Sequence, residues 1–369
     1  MPKSSNRFDG LKDGLRETAV RVLFVGGTGL ISSAVSPLVV SRGHDLTLMN
    51  RGTSLKANAP EGARTIVVDV NDTGAFRAAI KADVAAHGEY DSVVQWIGFD
   101  PDLISRDIET FSGKTKQYVF ISSASAYETP PGFYITREDS TPLTNPYWPY
   151  SRDKAESEAR LRVAYGETGF PYTVVRPSHT YARCDIPAAI NSWTHPWTIV
   201  DRMQRGAPIL MHGDGTSLWT LTDHRDFAQA FVGLLGNDKA IAEEFHITSD
   251  DVLSWNQIHS YIASAAGLDP ERVYEQTVFV PTDLLVRFDK EAFEGPIKGD
   301  KANAAIFDNA KVRSLVPDYR TQHHFEESVH ESITWFMEKA ERRSIDAAAD
   351  ALYDDVAARF VRGVGTMFS

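Results

Sequence analysis

The stretch Val25-Gly26-Gly27-Thr28-Gly29-Leu30-Ile31-Ser32 constrains the fold more than any other part of the chain. It joins an apolar run over residues 20–25, short enough for a buried strand, to a run over 30–42 that reads as a helix. A strand that turns through glycines straight into a helix aims the helix's unpaired N–H groups at the space over the turn. That geometry suits a dinucleotide pyrophosphate. Gly26 allows the tight turn and Gly29 lets the backbone approach the phosphates, with Thr28, Leu30 and Ile31 completing the cradle. Ser32 stands where a third glycine is usual in such turns, and its small side chain still permits close packing.

The rhythm continues. Residues 45–49 alternate into a second strand, 65–70 form a third, 92–97 a fourth, 117–122 a fifth and 172–176 a sixth. Helical patterns occupy 76–86 and 150–165. Strands alternating with helices from 20 to 176 predict an α/β fold, a Rossmann-type doubly wound parallel sheet. After Arg176 the alternation breaks, and proline, tryptophan and histidine cluster between 177 and 197. Helical patterns follow at 198–205, 227–235, 255–266 and 325–339, as in a smaller C-terminal lobe over a substrate site. The expected division is an extension over 1–19, a dinucleotide-binding domain over 20–177, a lobe over 178–343 and a helical tail over 344–369. Later segments are expected to return to the first domain. Leu352, Val356 and Phe360 recur every four residues along the tail.

A second motif gives the sheet a chemistry. Tyr150-Ser151-Arg152-Asp153-Lys154 places a phenol and an ammonium four residues apart on one helix face. A cation beside a phenol lowers its pKa, so the pair can move a proton near neutral pH. Ser123 ends the fifth strand, at the sheet edge where doubly wound folds bind ligands, and can hold a substrate oxygen. Tyr150 is then the acid/base, and Lys154 its electrostatic partner and a ligand of the nicotinamide ribose. The second strand ends in Asn50 and Arg51 rather than in an acid. Neither repels a 2′-phosphate and Arg51 can pair with one, which favours NADP over NAD. Asp69 and Val70 fall where an acidic side chain can meet the adenine amine.

Composition narrows the partners. The 369-residue chain carries a formal net charge of −12, which argues against nucleic acid, since phosphate binding wants a basic face. One cysteine, Cys184, leaves no intrachain disulfide. No apolar run is long enough for a bilayer, and the polar residues 1–18 lack a signal-peptide core, so no membrane partner and a cytoplasmic location are expected. His179, His195 and His212 lack metal-ligand spacing, so no metal is expected. A homodimer is left open.

At this point the chain resembles the short-chain dehydrogenase/reductase superfamily, in its extended and atypical, epimerase/dehydratase-like branch. The resemblance rests on Gly26-Gly27-Thr28-Gly29, Ser122-Ser123-Ala124-Ser125-Ala126-Tyr127, Tyr150 to Lys154, and Val175-Arg176-Pro177. It continues through Gly213-Asp214-Gly215 and Asp223 to Ala228, about residues 20 to 340 in all. It implies NAD or NADP, hydride transfer at the nicotinamide C4, and the serine, tyrosine and lysine roles given above. Two departures bear on the substrate. Nucleotide-sugar enzymes of this branch usually carry asparagine where this chain has His179. They carry a diphosphate-gripping arginine where it has Trp219. A diphosphate needs its charge neutralised, so Arg202, Arg205 or Arg225 would have to substitute. The substrate expected is instead a sugar-like or other small hydroxyl or carbonyl compound, held by Ser123, Ser125, His179, Trp193 and Trp219. The alternatives are a stem-loop RNA-binding protein on the same fold and a catalytically silent cofactor sensor. The intact Ser/Tyr/Lys set speaks against both.

Overall fold

The computed structural model describes residues 19–52 and 58–367. The expected extension, apart from residue 19, lies outside the described residues. Seven parallel strands form the main sheet. Six are β1 (Arg21–Val25), β2 (Asp45–Asn50), β3 (Arg64–Val67), β4 (Ser92–Gln95), β5 (Tyr118–Ile121) and β6 (Tyr172–Pro177). The seventh, Glu243–Ile247, comes from beyond residue 177 and pairs with β6. The spatial order is Glu243–Ile247, β6, β5, β4, β1, β2, β3. Chain order reverses at β1, which pairs with β2 on one side and β4 on the other. A crevice opens at the carboxyl ends of strands at such a point.

The central strands β1, β4, β5 and β6 are buried nearly throughout because both faces are covered, whereas β3 at the sheet edge is partly exposed. Val22 and Phe24 of β1 face α1 (Ser32–Ser41) and the helix His224–Val232. Leu23 and Val25 face the opposite core, with Phe76 and Ile80 of α2 (Thr73–His87), Ile104 and Phe111 of α3 (Pro101–Phe111), and Leu161 of α4 (Pro149–Thr168). The alternation expected for the second strand is absent for the same reason: Leu46, Thr47, Leu48 and Met49 are all buried. The helix α3 was not expected between the fourth and fifth strands. Its signal is Asp100-Pro101, with Asp100 Oδ1 accepting from Asp102 N at 2.7 Å and proline in the first turn.

The second lobe has its own cores. One holds Trp197, Trp219, Trp255, Ile258 and Phe336. Another holds Leu285, Phe293, Ile297 and the tail helix Ala347–Met367 through Tyr353, Val356 and Ala357. A π-helical segment, Glu294–Lys301, lies against the loop that leads into α4. A Cβ on Gly295 would come within 2.3 Å of the Trp148 ring. Asn145 Nδ2 donates to Gly299 O at 2.7 Å and to Ser125 O at 2.8 Å. This clamp carries residue 300 to the sheet edge from 150 positions away.

Candidate active site

Two cavities meet above the carboxyl ends of β1, β4 and β5. The first, about 700 Å³, is lined by Gly26 to Ser32, Asn50, Arg51, Val70, Trp96, Phe99 and Lys154, among others. Gly26 has φ +99° and its N–H donates to Met49 O at 2.8 Å, the tight turn expected. Gly27, not singled out in the sequence, is more constrained still: a Cβ there would sit 2.8 Å from Leu48 Cδ2. Ser32 accepts from Gly29 N at 2.8 Å, so its hydroxyl braces the turn in place of a third glycine. Asn50 Oδ1 caps Gly52 N at 2.8 Å, and Arg51 stands exposed at the rim. Asp69 is not among the lining residues. Its carboxylate accepts from Asn71 N at 3.0 Å, a turn cap where an adenine contact was expected, while Val70 does line the groove. The glycine turn leaves backbone where a Cβ would intrude, and no lining residue is acidic, so among the described residues the groove fits a dinucleotide.

Tyr150 stands in the first turn of α4 with Lys154 one turn later. Lys154 is buried and its Nζ donates to Gly98 O at 2.6 Å and Ile121 O at 2.8 Å, 5.6 Å from the Tyr150 ring centre. Burial pulls its pKa down to about 7, with Glu158 opposing. Burial also raises the Tyr150 phenol; the Ser123 hydroxyl works against that rise and Asp300 adds to it. The sequence expectation was a phenol made acidic by the lysine. In this arrangement the ammonium is turned to the two carbonyls, and the phenol keeps its proton at neutral pH. Ser123 Oγ is 2.9 Å from Ser125 Oγ, which accepts from Ser151 Oγ at 2.8 Å. These three hydroxyls fix one another beside the phenol.

A buried ionic network holds this edge from below. Arg176 donates to Glu158 through Nε at 2.9 Å and through a terminal nitrogen at 2.6 Å. Glu158 accepts from Ser122 Oγ at 2.6 Å, and Arg176 donates to Tyr127 Oη at 3.0 Å. The sequence offered Arg176 only as part of a motif; Glu158 gave no signal, being one charge on an outwardly polar helix pattern.

The second cavity, about 590 Å³, shares Leu30, Ile31, Ser122, Tyr150 and Pro177 with the first. Ser123, Ser125, His179, Trp193 and Trp219 all line it, joined by Trp148, Asp185, Asp300 and Phe307. His179 stacks on Trp193 at 6.1 Å and lies 3.8 Å from Asp185; burial lowers its pKa and Asp185 opposes. Trp193 is 62% exposed at the rim, whereas Trp219 is 4% exposed and packs on Trp255 at 5.2 Å. Trp219 therefore belongs first to the lobe core. Arg202 is buried against Asp354 at 2.6 Å and bonded to Asp350, Arg205 holds Asp201 at 2.8 Å, and Arg225 holds Asp223 at 2.7 Å. None of the three lines either cavity, so none rebuilds a diphosphate clamp. Among the described residues no group of three metal ligands occurs, and no helix is long and apolar enough to cross a membrane.

The lysine gives a measurable pH signature. An unfolded lysine holds its proton to about pH 10.4. Above about pH 7 the unfolded chain therefore binds more protons at this site than the folded one, and stability from this site rises with pH. One such site contributes a slope of up to about 1.4 kcal/mol per pH unit. In urea unfolding between neutral and mildly alkaline pH, Lys154→Met should lose this rise relative to wild type. Parallel pH curves for the two proteins would show that burial does not displace the lysine proton.

Comparison with known proteins agrees with the geometry. The model of the NAD dependent epimerase/dehydratase family matches residues 22–247. The chain is 27% identical over 263 residues to the chloroplast stem-loop binding protein of 41 kDa b of Arabidopsis thaliana. That match covers 69% of this chain and 65% of the relative, just under two thirds of its length. It is 24% identical over 255 residues to 2'-dehydrokanamycin reductase of Streptomyces kanamyceticus, covering 68% of each. Among solved structures it superposes on an epimerase from Methanothermobacter thermautotrophicus with TM-score 0.67 at 17% identity, covering 88% of this chain and 94% of the other.

Proposed function

The chain belongs to the NAD dependent epimerase/dehydratase family, and we propose that it transfers hydride between a nicotinamide cofactor and a hydroxyl- or carbonyl-bearing carbon of a small, sugar-like substrate. The observation that carries this reading is the position of Tyr150, which lines both cavities at once, with Ser123 and its hydroxyl partners on the substrate side and Lys154 on the cofactor side. The glycine turn and α1 would hold the pyrophosphate, and Lys154 would hold the nicotinamide ribose. The bound nicotinamide supplies or accepts the hydride. Ser123 holds the substrate oxygen, and Tyr150 gives that oxygen a proton when a carbonyl is reduced or takes one when an alcohol is oxidised. A protonated phenol at neutral pH suits the reducing direction, and the Streptomyces relative is itself named a reductase. Stem-loop binding, for which the chloroplast relative is named, asks for a basic face that a chain of net charge −12 is poorly supplied to give.

NADP is the favoured cofactor, because Arg51 is a cation at the rim and among the described residues the groove offers a 2′-phosphate no acid to repel it. Titration of NADH and NADPH, followed by energy transfer from Trp96 and its neighbours, tests both parts. Arg51→Ala should weaken NADPH by about 1.5–3 kcal/mol, as for a charge-assisted contact, and NADH far less. Equal small losses would reduce Arg51 to a turn residue. If neither nucleotide binds saturably, the oxidoreductase reading itself is wrong.

A further inference from the structure

Resting on the reading that the second cavity takes the substrate of Tyr150, we propose that this cavity selects a cationic amine, an amino sugar or aminocyclitol, and that Asp300 binds its ammonium group. Asp300 lines the cavity, near enough to Tyr150 to act on its phenol. Among the described residues its carboxylate makes no hydrogen bond and no ion pair within 4 Å, and the residue is partly exposed at the cavity wall. A carboxylate with no protein partner in a cavity wall can accept charge-assisted hydrogen bonds from a ligand ammonium. Burial pushes its pKa up, with only the Lys301 charge opposing. Lys301 does not reach it as an ion-pair partner; its Nζ donates to Ala188 O at 2.9 Å and sits 4.6 Å from the Trp193 ring.

The rest of the wall agrees. Among the described residues no lysine or arginine lines the cavity, whereas a second carboxylate, Asp185, and the aromatic residues Trp148, Trp193, Trp219 and Phe307 do. Aromatic faces attract ammonium groups, and more strongly where water is excluded. Asp300 is also held in place rather than swinging on a loop. The Gly295 contact with Trp148 and the Asn145 bond to Gly299 O fix the helical turn that bears it.

The experiment uses the full chain with saturating NADPH near neutral pH, and reads tryptophan fluorescence as glucosamine, N-acetylglucosamine, glucose or UDP is added. Glucosamine should bind at least about tenfold more tightly than glucose or N-acetylglucosamine, and UDP should not compete with it. Asp300→Asn should remove that preference while leaving NADPH affinity unchanged, which also shows that the variant is folded. The acetylated sugar reads the charge on the unaltered protein, so the inference stays exposed even if the variant fails to fold. Equal binding of amine and neutral sugars, failure of the amine to bind, a preference that survives in Asp300→Asn, or tighter binding of UDP would each overturn it. Tyr150→Phe separates the two readings. Amine preference retained without loss of turnover would overturn the chemistry alone. Turnover that depends on Tyr150 without amine preference would overturn the recognition alone.

Discussion

Tyr150→Phe is expected to lower turnover by about 10²–10⁴-fold, the usual contribution of a positioned acid or base, with little change in NADH or NADPH affinity. The substitution removes only the phenol oxygen. The ring keeps its contacts with Trp148 at 5.1 Å and Phe99 at 6.4 Å, so the walls of both cavities survive. Ser123 remains to bind the substrate oxygen but cannot donate a proton as readily as a phenol. Because burial raises the phenol pKa, it is protonated at neutral pH and ready to act as an acid. In the oxidising direction the phenolate is needed, so that rate should climb as pH rises. Steady-state rates in both directions, paired with cofactor titrations, check these statements. Wild-type turnover in the phenylalanine variant would remove Tyr150 from the chemistry.

Arg176→Met should be the most destabilising of the substitutions considered, at roughly 3–5 kcal/mol, because it strands a buried charge. Arg176 and Glu158 side chains are 3% and 0% exposed. Glu158 would lose both of its close guanidinium bonds and keep Ser122 and the longer contact from Arg162 at 3.3 Å. Pairing the change with Glu158→Leu removes the stranded charge and should recover much of the loss, leaving the cost of the unpaired Ser122 hydroxyl, since Tyr127 Oη keeps His246 Nδ1 at 3.2 Å. Urea unfolding of wild type, both single variants and the double variant measures the coupling. Additive losses would show that the two groups do not depend on each other. Since Ser122 precedes Ser123, the double variant should also turn over more slowly than its stability alone explains.

The sequence was sufficient wherever a property is local. A strand, a glycine turn and a helix are written in consecutive residues, so β1, Gly26 and α1 could be read directly. Tyr150 and Lys154 share a helix face by spacing alone. The α/β alternation set the sheet, because buried parallel strands must be apolar and must be joined by helices. Where the reading fell short, the cause was an interaction between residues distant in the chain. Asp69 has the right type and place for an adenine contact, but its carboxylate closes its own turn. Trp219 lines the second cavity as expected, but it is also a core residue packed on Trp255, 36 positions away, which the sequence does not show. Glu158 and Asp300 each look like one more surface acid, and helical periodicity gives them no distinction. Only the packing of α4 beside β6 turns Glu158 toward Arg176, and only the Gly295–Trp148 approach together with the Asn145 bond to Gly299 O brings Asp300 to Tyr150. The direction of the phenol's pKa was decided in the same way. Spacing puts an ammonium near Tyr150, but burial and the carbonyls of Gly98 and Ile121, which come from two other strand ends, determine which way that ammonium turns.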